Sequence, residues 1–271
     1  MWTLPTCHAS CWQPRPSDNP PAGFSIRPPR EISPGFLLRS VVRDAPTGRT
    51  LLFLSDLHWP PPDPGEYRSL ADAINRLQVD WILYGGDVST YLEGLAPALG
   101  WLASLEARRG RAAVLGNRER SIFWRTPDFW TAQFRSAGCT LLLNSSLEAD
   151  GFRLYGVDDA RYGHPDWSRL QPDPECFTVS LSHNPDAVAD APPQVFVGDL
   201  VLCGHTHAGQ FSLPGVGPLY SSSKYGRQFL KGFQRRDDGA VCLVSSGIGE
   251  AGRGFLKHRL NTRRDLWLVT I

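Results

Sequence analysis

The 271-residue chain lacks any apolar run approaching the roughly 18 residues that a membrane-spanning helix needs, which excludes such a helix within it. Its opening Met1-Trp2-Thr3-Leu4-Pro5 has neither the basic start nor the apolar core of a secretory signal, so the expectation is a cytoplasmic protein. Charge of one sign is also scarce. With 28 Lys and Arg against 27 Asp and Glu, the formal net charge is +1, which argues against a dedicated nucleic-acid coat and against the broad basic groove of a nuclease. The six cysteines, at positions 7, 11, 139, 176, 203 and 242, show no disulfide-framework spacing. Cys7-His8-Ala9-Ser10-Cys11 offers three donors where a structural zinc needs four, and Cys203 closes an apolar run as a small buried residue.

What the chain does have is a set of short islands, each placed just after an apolar run. Leu51–Leu54 precedes Asp56 and His58, Trp81–Tyr84 precedes Asp87, and Ala112–Leu115 precedes Asn117. Phe177–Leu181 leads to His183, and Leu200–Cys203 leads to His205 and His207. Short apolar runs closed by Gly, Ser or Asp are how fully buried strands of an α/β protein read, and ligands at several strand ends converge on one sheet edge.

Asp56, His58, Asp87, Asn117, His183, His205 and His207 together make the donor set of a two-metal hydrolytic site. Two ions roughly 3.5–4 Å apart need a shared ligand, and a carboxylate such as Asp87 has two oxygens with which to bridge. Imidazole and amide oxygens fill the outer positions without adding negative charge against an incoming phosphate. Taken singly, Gly-Asp and Gly-Asn read as turns. Two histidines one residue apart in Gly-His-Thr-His have little structural use, and four of the seven histidines fall inside the islands. Manganese, iron and zinc all suit such mixed donors.

Ser55-Asp56-Leu57-His58, Gly86-Asp87, Gly116-Asn117-Arg118-Glu119, Ser182-His183-Asn184-Pro185-Asp186 and Gly204-His205-Thr206-His207-Ala208-Gly209-Gln210 resemble the motifs of the calcineurin-like metallophosphoesterases. The resemblance runs from about Arg49 to the C-terminus. It is strongest to a branch of small bacterial phosphoesterases that also carries a late stretch like Ser246-Gly247-Ile248-Gly249. It implies an α/β/β/α sandwich. It further implies one divalent ion on Asp56, His58, Asp87 and His207, a second on Asp87, Asn117, His183 and His205, and in-line attack by a metal-bridging hydroxide. Asn117, Arg118 and His205 are the candidates for contact with the reacting phosphate.

Arg118 departs from the histidine that many relatives carry there. Arginine cannot give up a proton at neutral pH, but its planar fork binds phosphate oxygens in pairs. Leaving groups that need no proton are then favoured, which points to a pyrophosphate bond. The UDP-2,3-diacylglucosamine pyrophosphatases of lipid A synthesis resemble the chain at this point, with Gly-Asn-Arg-Asp where Glu119 stands here. The alternatives are a generic phosphodiesterase or phosphatase, a nuclease, and a non-catalytic scaffold; a bland reading of Arg118 pairs it with Glu119 or another carboxylate.

Along the chain, residues 1–22 are Pro-, Ser- and Asn-rich and read as a loose tail, 23–48 as a strand extension, and 49–271 as the catalytic domain. Helices are expected over Tyr67–Leu77, Leu92–Arg108 and Thr126–Ala137, with a strand-rich half from Thr140 onward. Trp59 and Pro60-Pro61-Pro62 are either a stiff wall beside the metals or a rigid exit from a strand; Asp158-Asp159 read as a turn. Lys224, Arg227, Lys231, Arg235 and Arg236 interleave with Tyr225, Phe229, Leu230 and Phe233, and Arg253, Lys257, Arg259, Arg263 and Arg264 accompany Phe255 and Leu256. Such a pattern suits either peripheral contact with anionic membrane or a solvated loop with core anchors. The expected partner is a small-molecule or lipid-linked phosphoester.

Overall fold

The computed structural model describes residues 8–13, 16–61, 63–121, 125–252 and 258–271. The strands and helices in chain order are β1 (Phe24–Ser33), β2 (Phe36–Arg43), β3 (Thr50–Leu54), α1 (Pro64–Asn75), β4 (Trp81–Tyr84), α2 (Leu95–Ala103), β5 (Gly110–Ala113), α3 (Asn117–Ser121), α4 (Pro127–Ser136), β6 (Thr140–Leu141), β7 (Ser145–Ala149), β8 (Phe152–Gly156), β9 (Phe177–Ser182), α5 (Asp186–Ala189), β10 (Leu200–Cys203), β11 (Ser212–Leu213), β12 (Gly217–Pro218), β13 (Gly232–Arg235), β14 (Val241–Val244) and β15 (Arg264–Thr270). One sheet runs β1-β2-β15-β3-β4-β5-β6 and a second runs β13-β14-β10-β9-β8-β7.

Strand side chains alternate, so central strands such as β4, β10 and β14, apolar at every position, serve two cores at once. Leu51 and Phe53 of β3 meet Leu181, Leu202 and Leu243 in the layer between the sheets, while Leu52 and Leu54 face the other way, with Leu70, Ile74, Leu99 and Trp130 of the helices. Tyr155, Val201, Cys203 and Val244 line the outer face of the second sheet, covered by α5, Trp167, Trp12 and Phe229. This is the α/β/β/α sandwich the motifs imply, with an outer layer of one short helix and loops on the second sheet. Helices α1 and α4 begin where the chemistry directs: Asp63 and Thr126 cap their first turns, each followed by a proline at an early position where no N–H is needed.

One expectation is overturned, and one of two open readings is favoured. Residues 1–22 do not read as a loose tail where they are described. Trp12 is buried edge-on to Phe229 at 5.5 Å between ring centroids, and Ser17 and Phe233 exchange backbone hydrogen bonds of 2.9 and 2.8 Å. Trp12 anchors this segment despite its polar, proline-rich surroundings. In the basic stretch, Phe229, Leu230, Phe233 and Arg236 are buried, with the Arg236 guanidinium on Asp238 and on the Val195 carbonyl at 2.9 Å. Those apolar residues are core anchors. Cys7, Pro62, Arg253, Phe255, Leu256 and Lys257 lie outside the described residues.

Candidate metal centre

The parallel strands of both sheets end at one edge, and the loops leaving β3, β4, β5, β9 and β10 carry the donors there. The backbone in these loops is unusual. Asp56, His58, Asp87, His205 and His207 all have positive φ, at 57°, 48°, 56°, 73° and 51°. Each such residue costs about 1–3 kcal/mol, so the conformation persists only where the surroundings over-determine it.

The surroundings do so through a cross-held frame. Asp56 and His58 donate backbone N–H to the carbonyls of Gly86 and Asp87, both at 3.0 Å, and the N–H of His205 donates to Asp56 Oδ2 at 3.0 Å. Glu119, fully buried, accepts from the N–H groups of Asp87, Val88 and Gly116 at 2.9, 2.8 and 2.7 Å, locking the second loop to the third. Ile248 and Gly249 donate to the carbonyls of Ser55 and Asp56 at 3.0 and 2.7 Å. A Cβ on Gly249 would collide with the Asp56 and Leu57 backbone, which explains why the Ser246–Gly249 stretch accompanies the first motif.

Inside this frame the donors converge without enough protons to go round. His58 Nε2 lies 3.1 Å from His207 Nε2 and 3.5 Å from Asp87 Oδ2; His207 Nε2 lies 3.5 Å from Asp56 Oδ1. On the other side His183 Nε2 lies 3.1 Å from Asn117 Oδ1, 3.2 Å from His205 Nδ1 and 3.5 Å from Asp87 Oδ1. His183 Nδ1 sits 2.7 Å from the Gly85 carbonyl and can only donate to it, so in the neutral ring Nε2 points its lone pair at those oxygens. Asp87 therefore offers one oxygen to each cluster. The atoms of Asp56, His58 and His207, and those of Asp56, Asp87 and His183, lie within 4.8 Å of one another.

The electrostatics ask for a cation. Burial, with Glu119 and Asp56 adding to it, pushes the Asp87 carboxyl well up. Burial works against charge on His183, yet Asp87, Asp56 and Asp159 raise it to about 9. Burial and the Arg118 cation hold His58 low, and burial with His183 does the same to His205. Crowded carboxylates, two imidazoles held neutral and a third, His183, charged only by the acids around it are the donor chemistry that suits divalent ions, which would replace that proton.

Above the centre opens a cavity of about 390 Å³, lined by His58, Asp87, Asn117, His205 and His207 and walled by Arg118, Arg161, Phe211 and Tyr220. Arg118 does not pair with Glu119, whose oxygens are taken by three backbone N–H groups, and among the described residues it has no ion pair. Its Nε is buried without a partner. The Trp59-Pro60-Pro61 run is absent from the cavity wall; Trp59 packs edge-on to Tyr67 in the helix-side core at 6.2 Å. Asp158 and Asp159 do form a turn: Asp159 accepts the N–H of Arg161 and Tyr162 at 2.9 Å, and this turn delivers Arg161 to the cavity. Arg259 is no surface cation either. It lies behind His207, 3.1 Å from Nδ1, and donates to the Ser246 and Gly249 carbonyls at 2.6 and 2.7 Å.

Sheet order, donor convergence and the open cavity define a site whose donors suit two divalent ions. The comparisons narrow this further. Residues 49–209 match the calcineurin-like phosphoesterase family, and the chain belongs to it. Phosphodiesterase YaeI of Escherichia coli is 32% identical over 238 residues, covering 82% of this chain and 81% of the relative. The uncharacterized metallophosphoesterase YkuE of Bacillus subtilis is 28% identical, covering 65% of this chain and 63% of the relative. The chain thus spans less than two thirds of YkuE, and 49% of a Helicobacter pylori metallophosphoesterase that is 29% identical. Among solved structures, a single mutant of Vps29 from Entamoeba histolytica aligns at 15% identity with a TM-score of 0.37, covering 79% of this chain and 80% of the other.

Arg161, Glu119 and Tyr220 are the participants that reading the motifs does not find. Glu119 stands in a motif but its role as a three-donor acceptor depends on how two loops meet. Arg161 carried a signal in the Asp158-Asp159 turn, though not the direction in which the turn faces.

Proposed function

We propose that this site cleaves a phosphoanhydride, or a phosphodiester with a leaving group that needs no proton, in a substrate carrying an apolar or aromatic portion. One observation carries the reading: Arg118 lines the cavity beside the donor clusters with no carboxylate partner among the described residues. A fixed guanidinium in that position neutralises and orients phosphate oxygens but supplies no proton. Arg161 adds a second cation to the same cavity, and Phe211 and Tyr220 provide a wall for a base, a ring or an acyl chain. A cavity of about 390 Å³ accommodates a small head group rather than a polymer.

Asp56, His58, Asp87 and His207 would hold one ion, and Asp87, Asn117, His183 and His205 the other. Bound there, the ions would supply Lewis acidity and an activated water. Asn117 and Arg118 would orient the phosphate, and His205 would stand beside them in the cavity lining. The Gly-Asn-Arg motif makes UDP-2,3-diacylglucosamine the specific candidate. The phosphodiesterase name borne by the Escherichia coli relative supports the second reading, a general phosphodiester.

The test compares UDP-2,3-diacylglucosamine with a bis-aryl phosphodiester, for wild type and Arg118→His, after refilling metal-stripped protein with manganese. Preference for the nucleotide, lost by about tenfold or more in the variant, is the expected result. Aryl-diester preference that survives the substitution selects the general phosphodiesterase.

A further inference from the structure

Phe211–Tyr220, between the last histidine motif and the basic stretch, contains no charged residue, yet it lies on the surface. Strands β11 and β12 fold it into a small hairpin that belongs to neither large sheet, turning through Pro214 and Gly215. Val216, Leu219 and Tyr220 are 57%, 58% and 68% exposed, and Leu213 and Leu260 stand beside them at 38% and 44%. Phe211 bridges to Leu260, which brings the latter to the hairpin's base. Single exposed apolar residues need no explanation, but five gathered on one protrusion form the contiguous patch that marks an interaction surface.

We infer that this hairpin docks the protein on an anionic lipid surface with the mouth of the metal site facing the lipid. Two observations choose that occupant. The first is charge. From Leu200 to Arg236 there is no Asp or Glu, while Lys224, Arg227, Lys231, Arg235 and Arg236 fall within it. Arg236 is buried and Lys224 is paired with Asp190, but Arg227 is exposed on the hairpin itself, donating to the Val216 and Pro218 carbonyls at 3.1 and 3.0 Å. Arg227, Lys231 and, next to the hairpin base, Arg263 are exposed and have no carboxylate partner among the described residues. Apolar side chains at a tip, with Arg227 laid on the hairpin and Arg263 next to its base, match an interface of acyl chains beneath anionic head groups.

The second observation is continuity. Phe211 and Tyr220, the two ends of the hairpin, also wall the cavity above the donor clusters. Gln210, just before it, exchanges amide hydrogen bonds with Ala251 at 2.6 and 3.0 Å, which fixes the hairpin's root to the opposite rim. The apolar surface therefore runs without a break from the protrusion into the site, and a tyrosine sits at the junction, where an amphipathic ring is at home in a head-group layer. The inference holds whichever phosphoester is cleaved.

The test is co-sedimentation of the full chain with vesicles of pure phosphatidylcholine and of phosphatidylcholine mixed with phosphatidylglycerol, for wild type and Val216→Asp/Leu219→Asp. Neither substituted residue lines the cavity, so turnover of a soluble aryl diester checks that the variant is folded. Wild type is expected on the anionic vesicles, with partitioning at least about tenfold weaker in the variant and soluble turnover unchanged. Wild type that stays in the supernatant, or a variant that sediments equally well, overturns the inference. A concentration-dependent dimer abolished by the same substitutions, without vesicle binding, overturns it in favour of self-association.

Discussion

The two ends of the same strands solve the problem of polar groups in opposite ways. At the N-terminal ends, the chain answers its own charges. Asp80, before β4, accepts from the N–H and hydroxyl of Thr50 at 3.0 and 3.1 Å and pairs with Arg109 at 3.5 Å; Asp199, before β10, accepts from the N–H of Thr178 at 2.7 Å. At the C-terminal ends, carboxylates face carboxylates and imidazole nitrogens face one another at 3.1 and 3.2 Å, on backbone twisted to positive φ. The lower edge is complete as an arrangement of protein atoms. The upper edge is complete only with cations, and its strain is a cost that the rest of the fold offsets.

Exchanging single acids between these two regimes gives the largest effects. Asp87→Asn should lower phosphoesterase turnover by about a thousandfold, while the metal-free protein unfolds at the same or a higher temperature, because a carboxyl that burial already disfavours has been removed. Asp80→Asn should do the reverse, leaving turnover intact and costing about 1 kcal/mol in urea. Kinetics and denaturation on the same preparations check both; stability loss in Asp87→Asn would break the contrast. Metal added at a hundredfold excess over Kd should stabilise wild type and Asp80→Asn by about 2.7 kcal/mol, and Asp87→Asn by much less.

Glu119 tests the border between the two regimes, since it satisfies backbone like a lower-edge acid while sitting among upper-edge ligands. Glu119→Ala orphans three buried N–H groups and should cost about 3 kcal/mol or more, with weakened metal binding following from a loosened Asp87. Calorimetry with and without metal separates the two. The smallest effect is a pH dependence. Burial acts against the Asp80 carboxylate, but its bonds to Thr50 and the Arg109 cation hold it below the ordinary 3.8. Its stabilisation is therefore complete above that value and is lost as pH falls through the folded one. The stability gap between wild type and Asp80→Asn should be constant near neutrality and close in acid, as urea midpoints across pH would show.

The upper edge was legible in the sequence because metal chemistry restricts which residue types can serve and buried strands announce themselves as short apolar runs. The α/β/β/α layering followed from the same runs. The rim was not legible. Where Arg161 and Tyr220 point is decided by how loops from distant parts of the chain pack, and no local pattern encodes that. Nor does composition distinguish a docked segment from a free one: Trp12 sits in a stretch that is otherwise polar and proline-rich, and its partner Phe229 is far away in sequence. The basic stretch left two readings open for a related reason, since Phe229 and Phe233 look the same in the sequence whether they face solvent or core.

The position of β15 bears on how the molecule is made. This strand, Arg264–Thr270, lies between β2 and β3, parallel to one and antiparallel to the other, so the N-terminal hairpin has no seat in the sheet until residues translated long after it arrive. Ser246–Gly249, which props the Asp56 loop, also enters late. A growing chain on the ribosome, or a fragment released by premature termination, therefore carries the metal-binding motifs without the frame that holds them. The support behind Asp56 is therefore complete only once synthesis has passed the start of β15, where the Asp265 N–H holds the Gly247 carbonyl at 3.2 Å.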